Sequence, residues 1–580
     1  MTVVTIASNA TVAKLHEPTR DVKLEVQSIL SYAVDGAEHT IAFKRGNWDG
    51  RSSFLDFKLG TFPAGFVHFV AAKLRHKGYE VRLARKPLPE PQGPELPVID
   101  SFGYEGRYDY QPEVIRRLRK HGAIIAQVAT GGGKSRIARM AFASINMPTL
   151  FLTTRGILMY QMKDAFEKDL GVPVSVLGDG QFGHTIVDEH GNTRQAVKKM
   201  CVGMVQTLIS RLEEKTIDGE LDKMTDARVK AELKEHRALE NRLLAAGVKP
   251  AERKRQLEAL DARQVAQRKA LVGKMRAEAA VKVAEHMRDR ARTIQLLSMF
   301  GLVILEEAHE ASGNSYYEIL RHCKNAHYRL ALTATPFMKE NEESNMRLMA
   351  CAGPIAIKVS EETLIDRGIL AQPHFKFVPL KFKPQKLMRG TGWQAAYRLG
   401  IVDNDYRNGL IVEECVRMSR YGLNGMILVQ QTAHGDKLKK AIAEAGLRVE
   451  FIQGEDDQEG RKRALGRLAR GDIDVLIGTT ILDVGVDVPA VGYVILAGGG
   501  KAEVALRQRI GRGLREKKNG MPNLCFIIDF ADAFNDHLVT HAKQRQAIIK
   551  GTPGFDRFIY EGGRDFDMEQ LGFARATLAA

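Results

Sequence analysis

The stretch Val128-Ala129-Thr130-Gly131-Gly132-Gly133-Lys134-Ser135 constrains this chain more than any other. Ala123, Ile124, Ile125 and Ala126 before it read as a buried strand, and Arg136 to Ala143 after it read as a helix. Three consecutive glycines let a backbone turn tightly and aim its N–H groups at phosphate oxygens. Lys134 adds a point charge for the outer phosphates, and Ser135 offers a hydroxyl to Mg²⁺. Thr130, Gly131, Gly132, Gly133, Lys134 and Ser135 are the expected nucleotide cradle. The general pattern has a glycine six residues before the lysine, where this chain carries Val128.

Strand, glycine loop and helix in succession imply an α/β fold, and the remainder of the chain keeps that rhythm. Strand candidates are 124–128, 149–153, 199–205, 302–305 and 328–333, then 425–429, 448–452, 475–479, 493–497 and 524–529. Two such series predict two parallel-sheet domains in tandem, at 98–370 and 371–550, followed by a tail at 551–580. Residues 1–86 predict a small α+β unit, with strands at Lys23–Val26, Thr40–Phe43 and Ser53–Phe57 and a helix at Phe66–Arg75. Pro87, Pro89, Pro91, Pro94 and Pro97 predict an extended linker over 87–97. Residues 211–292 are rich in Ala, Glu, Lys, Leu and Arg and turn around Gly247 and Pro250. They predict an antiparallel coiled-coil insertion with Val229, Leu233, Leu239 and Leu243 facing Leu257, Leu260, Val272, Met275, Val283 and Met287. Its basic second arm is a solvated face, a duplex-contacting arm or a protein-docking arm.

A net charge of +16 over 580 residues favours a polyanionic partner, nucleic acid before an acidic membrane. The apolar runs are too short to span a bilayer, so no membrane association is expected. Five cysteines lie far apart without metal-ligand spacing, and Met1–Leu15 lacks the basic start and long apolar run of a secretory leader. A reducing, cytoplasmic setting is expected, the host cytoplasm for a viral protein.

Glu306-Glu307-Ala308-His309 follows the apolar run Leu302–Leu305. Two carboxylates at a strand end beside a phosphate loop can divide the work, Glu306 holding Mg²⁺ and Glu307 orienting the attacking water. Arg45 and Arg51 flank Trp48, a basic and aromatic set suited to phosphates and a base face.

With these motifs in place the chain resembles the DEAD/DEAH-like helicases of superfamily 2. Their second motif reads Asp-Glu-x-His, and here Glu306 stands in the first position. The resemblance implies two tandem RecA-like domains, ATP and Mg²⁺ as cofactors, and a nucleic-acid partner. It implies that Gln111 reads the adenine edge, and that Thr154, Arg155, Gln206, Thr207, Thr479 and Thr480 contact the nucleic acid. Thr333-Ala334-Thr335-Pro336 matches the motif that couples nucleotide state to domain closure, and Gly485-Val486-Asp487-Val488-Pro489 matches the fifth motif, placing Gly485 and Asp487 by the nucleotide. Gln508-Arg509-Ile510-Gly511-Arg512-Gly513-Leu514-Arg515 matches the sixth, which implies that Arg512 and Arg515 are arginine fingers. Arg45-Gly46-Asn47-Trp48-Asp49-Gly50-Arg51 ahead of such a core resembles phage UvsW-type DNA helicases. That narrower resemblance implies a DNA helicase acting on single-stranded, forked or branched DNA in recombination, repair or fork rescue, by unwinding, annealing or branch migration. The alternatives are an RNA helicase, a duplex translocase that leaves strands paired, and a non-hydrolysing nucleic-acid scaffold.

Overall fold

The computed structural model describes residues 2–101, 103–104, 106–187, 193–308, 314–337, 342–453, 458–479, 491–500, 503–517 and 520–575. Two parallel sheets dominate it. The first runs Gln181–Phe182, Val174–Gly178, Met200–Met204, Thr149–Thr153, Leu302–Glu306, Tyr328–Thr333, Ala123–Val128, Ile355–Val359 in spatial order, and only its short first strand is antiparallel. The second runs Val449–Ile452, Val475–Gly478, Gly425–Leu428, Tyr493–Ile495, Leu524–Ala531, Gln372–Pro379, Ile559–Tyr560, all parallel. These strands are continuous apolar runs because helices cover both faces of each sheet. In a parallel sheet every strand ends on the same edge, so the loops that carry the motifs converge there.

The first unit departs from the expected pattern. Lys23–Val26 is not a strand but lies in the helix Arg20–Ile29. Thr19 caps it by accepting from the Val22 N–H, and Val22 and Val26, one turn apart, are its buried residues. Four alternating residues were too short a window to separate period 2 from period 3.6. Thr40–Phe43 is likewise no strand: Thr40 caps a helical turn, Ile41–Lys44, that leaves Ile41 and Phe43 exposed. Residues Val67–His76 form the expected helix. A four-stranded sheet, Thr61–Pro63, Val12–His16, Val3–Ser8, Glu80–Arg85, completes the unit. Its core continues into the first large lobe through Met346 and Ala350. A side chain at Gly65 would meet the Met349 carbonyl at 2.2 Å, so the two surfaces approach at backbone distance.

The proline-rich segment is extended but is no free spacer. Gln92 and Gly93 donate N–H bonds to Ile145 and Ser144, and Tyr328 donates its hydroxyl to Pro89, strapping the segment across the first lobe. The tail also belongs to a lobe: Ile559–Tyr560 extends the second sheet, and Phe566, Met568 and Phe573 are buried in its core. The insertion is a pair of antiparallel helices, Ile217–Ala245 and Pro250–Ser298. Its seam is the expected one in part. Leu243 is buried and Val229, Leu239, Leu257, Leu260, Met275 and Val283 are half-buried, but Leu233, Val272 and Met287 face solvent, and Glu232, Gln264 and Ala279 are buried as well. Polar contacts join the arms: Gln264 to Glu235 at 3.0 Å, Arg268 to Glu232 at 3.0 Å and Arg276 to Asp218 at 3.1 Å. Among the described residues no helix is long and apolar enough to cross a membrane, and all five cysteines are buried free thiols.

Two buried histidines make the second lobe pH-sensitive. Burial lowers His434 to about 3, with Arg407 and Lys437 adding to the shift, and lowers His374 to about 4. Both are neutral when folded and bind protons when unfolded near the ordinary value of 6.5. Stability is therefore full above that value and falls as the pH drops toward the folded values, by about 1.4 kcal/mol per pH unit for each group. Urea melts of the second lobe should lose roughly 2–3 kcal/mol between pH 7.5 and 5.5, with about half of that loss removed in His374→Phe. Equal stability at the two pH values, or an unchanged loss in the variant, contradicts this.

Candidate active site

Val128 ends its strand fully buried, and the chain then turns through Ala129–Gly133 into the helix Lys134–Ile145. Gly131 and Gly133 have φ of 86° and 79°, conformations that L side chains rarely adopt. A Cβ at Gly133 would lie 2.5 Å from Gln111 Nε2, and one at Gly131 would lie 2.6 Å from Leu370. Both glycines are required by conformation and by space.

Gln111 is buried against this loop. Its Nε2 donates to the Gly132 carbonyl at 3.2 Å, and its Oε1 accepts from Arg136 at 2.6 Å. Sequence reasoning missed two neighbours. Tyr110, whose hydroxyl burial pushes up to about 12, donates to the same Gly132 carbonyl at 2.7 Å. Arg136 pairs with Asp100 through two contacts of 2.8 and 2.9 Å. Gln111 therefore braces the loop through its amide.

Glu306 ends its strand 5% exposed, and its Oε2 has no hydrogen-bond partner among the described residues. Burial first, then the neighbouring Glu307, raises it to about 7, while Lys134 acts in the opposite direction. Such a carboxylate is short of positive charge, which is the condition a cation relieves. Among the described residues no three His, Cys, Asp or Glu side chains could enclose a metal. Glu306 and the Ser135 hydroxyl line the same cleft and would suit a Mg²⁺ there. Glu307 sits at φ 46°, a strained conformation for a side chain of this size. His309 lies outside the described residues.

The second lobe closes the site. Thr130, Gly131, Gly133, Lys134, Ser135, Glu306 and Glu307 line a cleft of about 1750 Å³ together with Arg515. Gln508 donates to Glu307 at 3.5 Å across the cleft. A Cβ at Gly511 would lie 2.9 Å from Thr130, so the sixth motif meets the phosphate loop at van der Waals distance. Arg507 and Glu361, 146 residues apart, form a mostly buried pair at 2.6 and 2.7 Å between the lobes. Arg107 pairs with Glu516 at 3.0 Å beside it. No local pattern marks Arg507 or Glu361, and only the tertiary fold brings them together. The helix Glu503–Gly513 carries Arg512, whose side chain lies outside the described residues.

The remaining expected residues distribute along the sheet edges. Thr154, Arg155, Gln206 and Thr207 follow adjacent strands, and Gln206 donates to the Thr154 carbonyl at 3.1 Å. Gln127 donates to the Ala334 carbonyl at 3.2 Å, tying the phosphate-loop strand to Thr333–Pro336. Thr479 directly follows the strand Val475–Gly478 and donates its N–H to the Ile452 carbonyl at 3.3 Å, whereas Thr480, Gly485 and Asp487 lie outside the described residues. In the first unit Arg45 is exposed and Trp48 half-buried, its indole N–H on the Arg51 carbonyl at 2.6 Å. Arg51 pairs with Glu342 of the first lobe at 3.3 Å, so its charge helps dock the unit.

Two family models match this chain: "Type III restriction enzyme, res subunit" over residues 106–244 and "Helicase conserved C-terminal domain" over residues 409–517. The chain is 26% identical to Putative helicase 22 of a Sulfolobus islandicus filamentous virus over 237 residues, 39% of this chain and 42% of that protein. It is 22% identical to the ATP-dependent DNA helicase uvsW of phage T4 over 240 residues, 41% of this chain and 47% of that protein. The matched stretch spans less than half the length of these curated relatives. The crystal structure of T4 UvsW aligns over 94% of this chain and 96% of its own, at 16% identity and a TM-score of 0.40.

The pair between the lobes supplies a test. Glu361→Ala and Arg507→Ala each leave a charge without its partner, so each should weaken ATP binding about tenfold. The double variant should be no worse than either single one, because the coupled term is lost only once. Additive losses on isothermal titration contradict a direct role for the pair in closure.

Proposed function

We propose that this chain, which belongs to helicase superfamily 2, is an ATP-hydrolysing motor that translocates on DNA and unwinds, anneals or branch-migrates forked and branched substrates. One observation carries the reading: a phosphate loop from one lobe and Arg515 from the other line a single cleft, with an under-compensated carboxylate between them. Lys134 and the loop N–H groups bind the outer phosphates. Glu306 and Ser135 would hold Mg²⁺, which would supply charge neutralisation at the phosphates. Glu307, held at a fixed angle and within reach of Gln508, orients the attacking water and takes up its proton. Arg515, joined by Arg512 from the same motif, offsets charge that builds as the phosphoryl group leaves. Release of that charge loosens the lobes, and the residues at the two sheet edges, Thr154, Arg155, Gln206 and Thr207 on one side and Thr479 and Thr480 on the other, step along a strand.

DNA is preferred over RNA on the resemblance of the Arg45–Arg51 stretch, and ATP turnover stimulated by each polymer discriminates between them. A role in recombination, repair or fork rescue, and docking of a protein on the helical insertion, belong to the same proposal.

Lys134→Ala and Glu307→Gln should each lower DNA-stimulated ATP turnover by about 10²-fold or more, and Glu307→Gln should still bind ATP. Turnover that survives both changes overturns these two roles, and a wild-type chain without turnover leaves a non-hydrolysing scaffold as the better reading. DNA affinity should fall steeply with added salt because the contacts are mainly to phosphates. A salt-independent affinity contradicts that arrangement.

A further inference from the structure

Residues 380–392 link the strand Gln372–Pro379 to the helix Trp393–Tyr397 as a compact knuckle. Leu387 anchors it, buried with Ile401, Val402 and Leu538. Asn535 Nδ2 lies 3.0 Å from each of the Met388, Arg389 and Thr391 carbonyls, and Met388 N–H donates to Thr391 Oγ1 at 3.0 Å. Arg389 pairs with Asp536 at 2.9 Å, and the Asp536 N–H donates back to the Arg389 carbonyl at 3.0 Å. A loop held this firmly nonetheless leaves two large apolar side chains in solvent. Met388 is 62% exposed, and Phe382 is 64% exposed with its ring edge-on to Tyr406 at 4.8 Å. Lys383 Nζ reaches the Met388 sulfur at 3.9 Å, Lys381 and Lys386 lie in the same loop, and no acidic residue lies between 381 and 392.

Its position decides what the knuckle meets. It follows the carboxyl end of its strand, on the same edge as Gln430, Thr479 and the Gly498–Gly500 turn. Tyr397, one helix away, donates its hydroxyl to the Gly498 carbonyl at 2.9 Å, and Gln430 donates to that of Gly499 at 3.3 Å. Apolar side chains on a lysine-rich loop suit a partner that offers a planar apolar face beside phosphates, which is the end of a duplex where its strands separate.

We propose that residues 380–392 form a strand-parting wedge. Met388 packs on the terminal base pair of a duplex at its junction with single strand, and Lys381, Lys383 and Lys386 hold the flanking phosphates. This rests on the motor reading above but concerns a surface outside the nucleotide site.

The test uses the full chain with Met388→Ala, Met388→Leu and Lys383→Ala/Lys386→Ala, and a forked DNA carrying 2-aminopurine at its first paired position. Wild-type protein should brighten the probe on binding, without ATP. Met388→Ala should lose that signal and displace strands at least fivefold more slowly, while single-strand-stimulated ATP turnover stays within twofold. Met388→Leu should restore both, and the lysine pair should bind the fork more weakly with a shallower salt dependence. Parallel loss of turnover and displacement, unchanged displacement in Met388→Ala, or a wild-type complex that leaves the probe dark overturns the wedge. So does binding to phosphatidylserine vesicles that is lost in Met388→Ala while the fork signal persists. A chain without ATP turnover fails the motor reading, and the aminopurine signal still decides the wedge because it needs no hydrolysis.

Discussion

The two sheets share one apolar core through Leu364, Ile369, Leu370 and Ala371, and the Arg507–Glu361 pair and the contact of Gly511 on Thr130 set how their edges meet around one cleft. Neither lobe alone could surround a triphosphate, because the cradle lies at the edge of one sheet and Arg515 comes from the segment after the helix Glu503–Gly513 of the other. A pair with one partner 6% and the other 18% exposed loses much of its hydration, and its strength depends on geometry. Its two short contacts supply that geometry. A joint of this kind is tight while both partners are aligned and is lost once they separate, which suits an interface that must open and close.

The interior of the first lobe is arranged to keep the phosphate loop in shape before any ligand arrives. Tyr110 and Gln111 both donate to the Gly132 carbonyl, and Arg136 is fixed in turn by Asp100. Within the loop the Gly132 N–H donates to the Ala129 carbonyl at 3.0 Å, which closes the turn. Glu306 is the opposite case, a buried acid with an oxygen that no described residue satisfies. Structures tolerate such a group where a ligand completes it. The glutamate in place of the family's aspartate lengthens the side chain by one methylene, yet the carboxylate still lines the same cleft as Lys134 and Ser135.

Much of this was legible in the residues. The parallel sheets announced themselves as short apolar runs separated by helices, and the phosphate loop by its glycines. Fully buried strands such as Thr149–Thr153 and Tyr328–Thr333 match their expected bounds because nothing competes with their burial. Lys23–Val26 misled because its alternation lasted four residues, whereas the Thr19 cap and the Val22–Val26 spacing belong to a helix. The insertion's helices were readable from composition and its seam in part, with polar pairs such as Arg268–Glu232 joining the arms alongside the partly buried leucines that periodicity favours. Arg507, Glu361, Tyr110 and the knuckle anchored by Asn535 carry no local signature. Their roles come from residues far apart in sequence, and only the tertiary fold sets them.

The account turns on whether the second lobe reaches the reacting phosphate. Single-turnover hydrolysis in Arg515→Ala, with ATP affinity measured in parallel, tests this most directly. The account predicts a fall in the hydrolysis rate of about 10³-fold or more with affinity within threefold of wild type, as expected for a group that acts mainly on the transition state. Hydrolysis at the wild-type rate in that variant would contradict it.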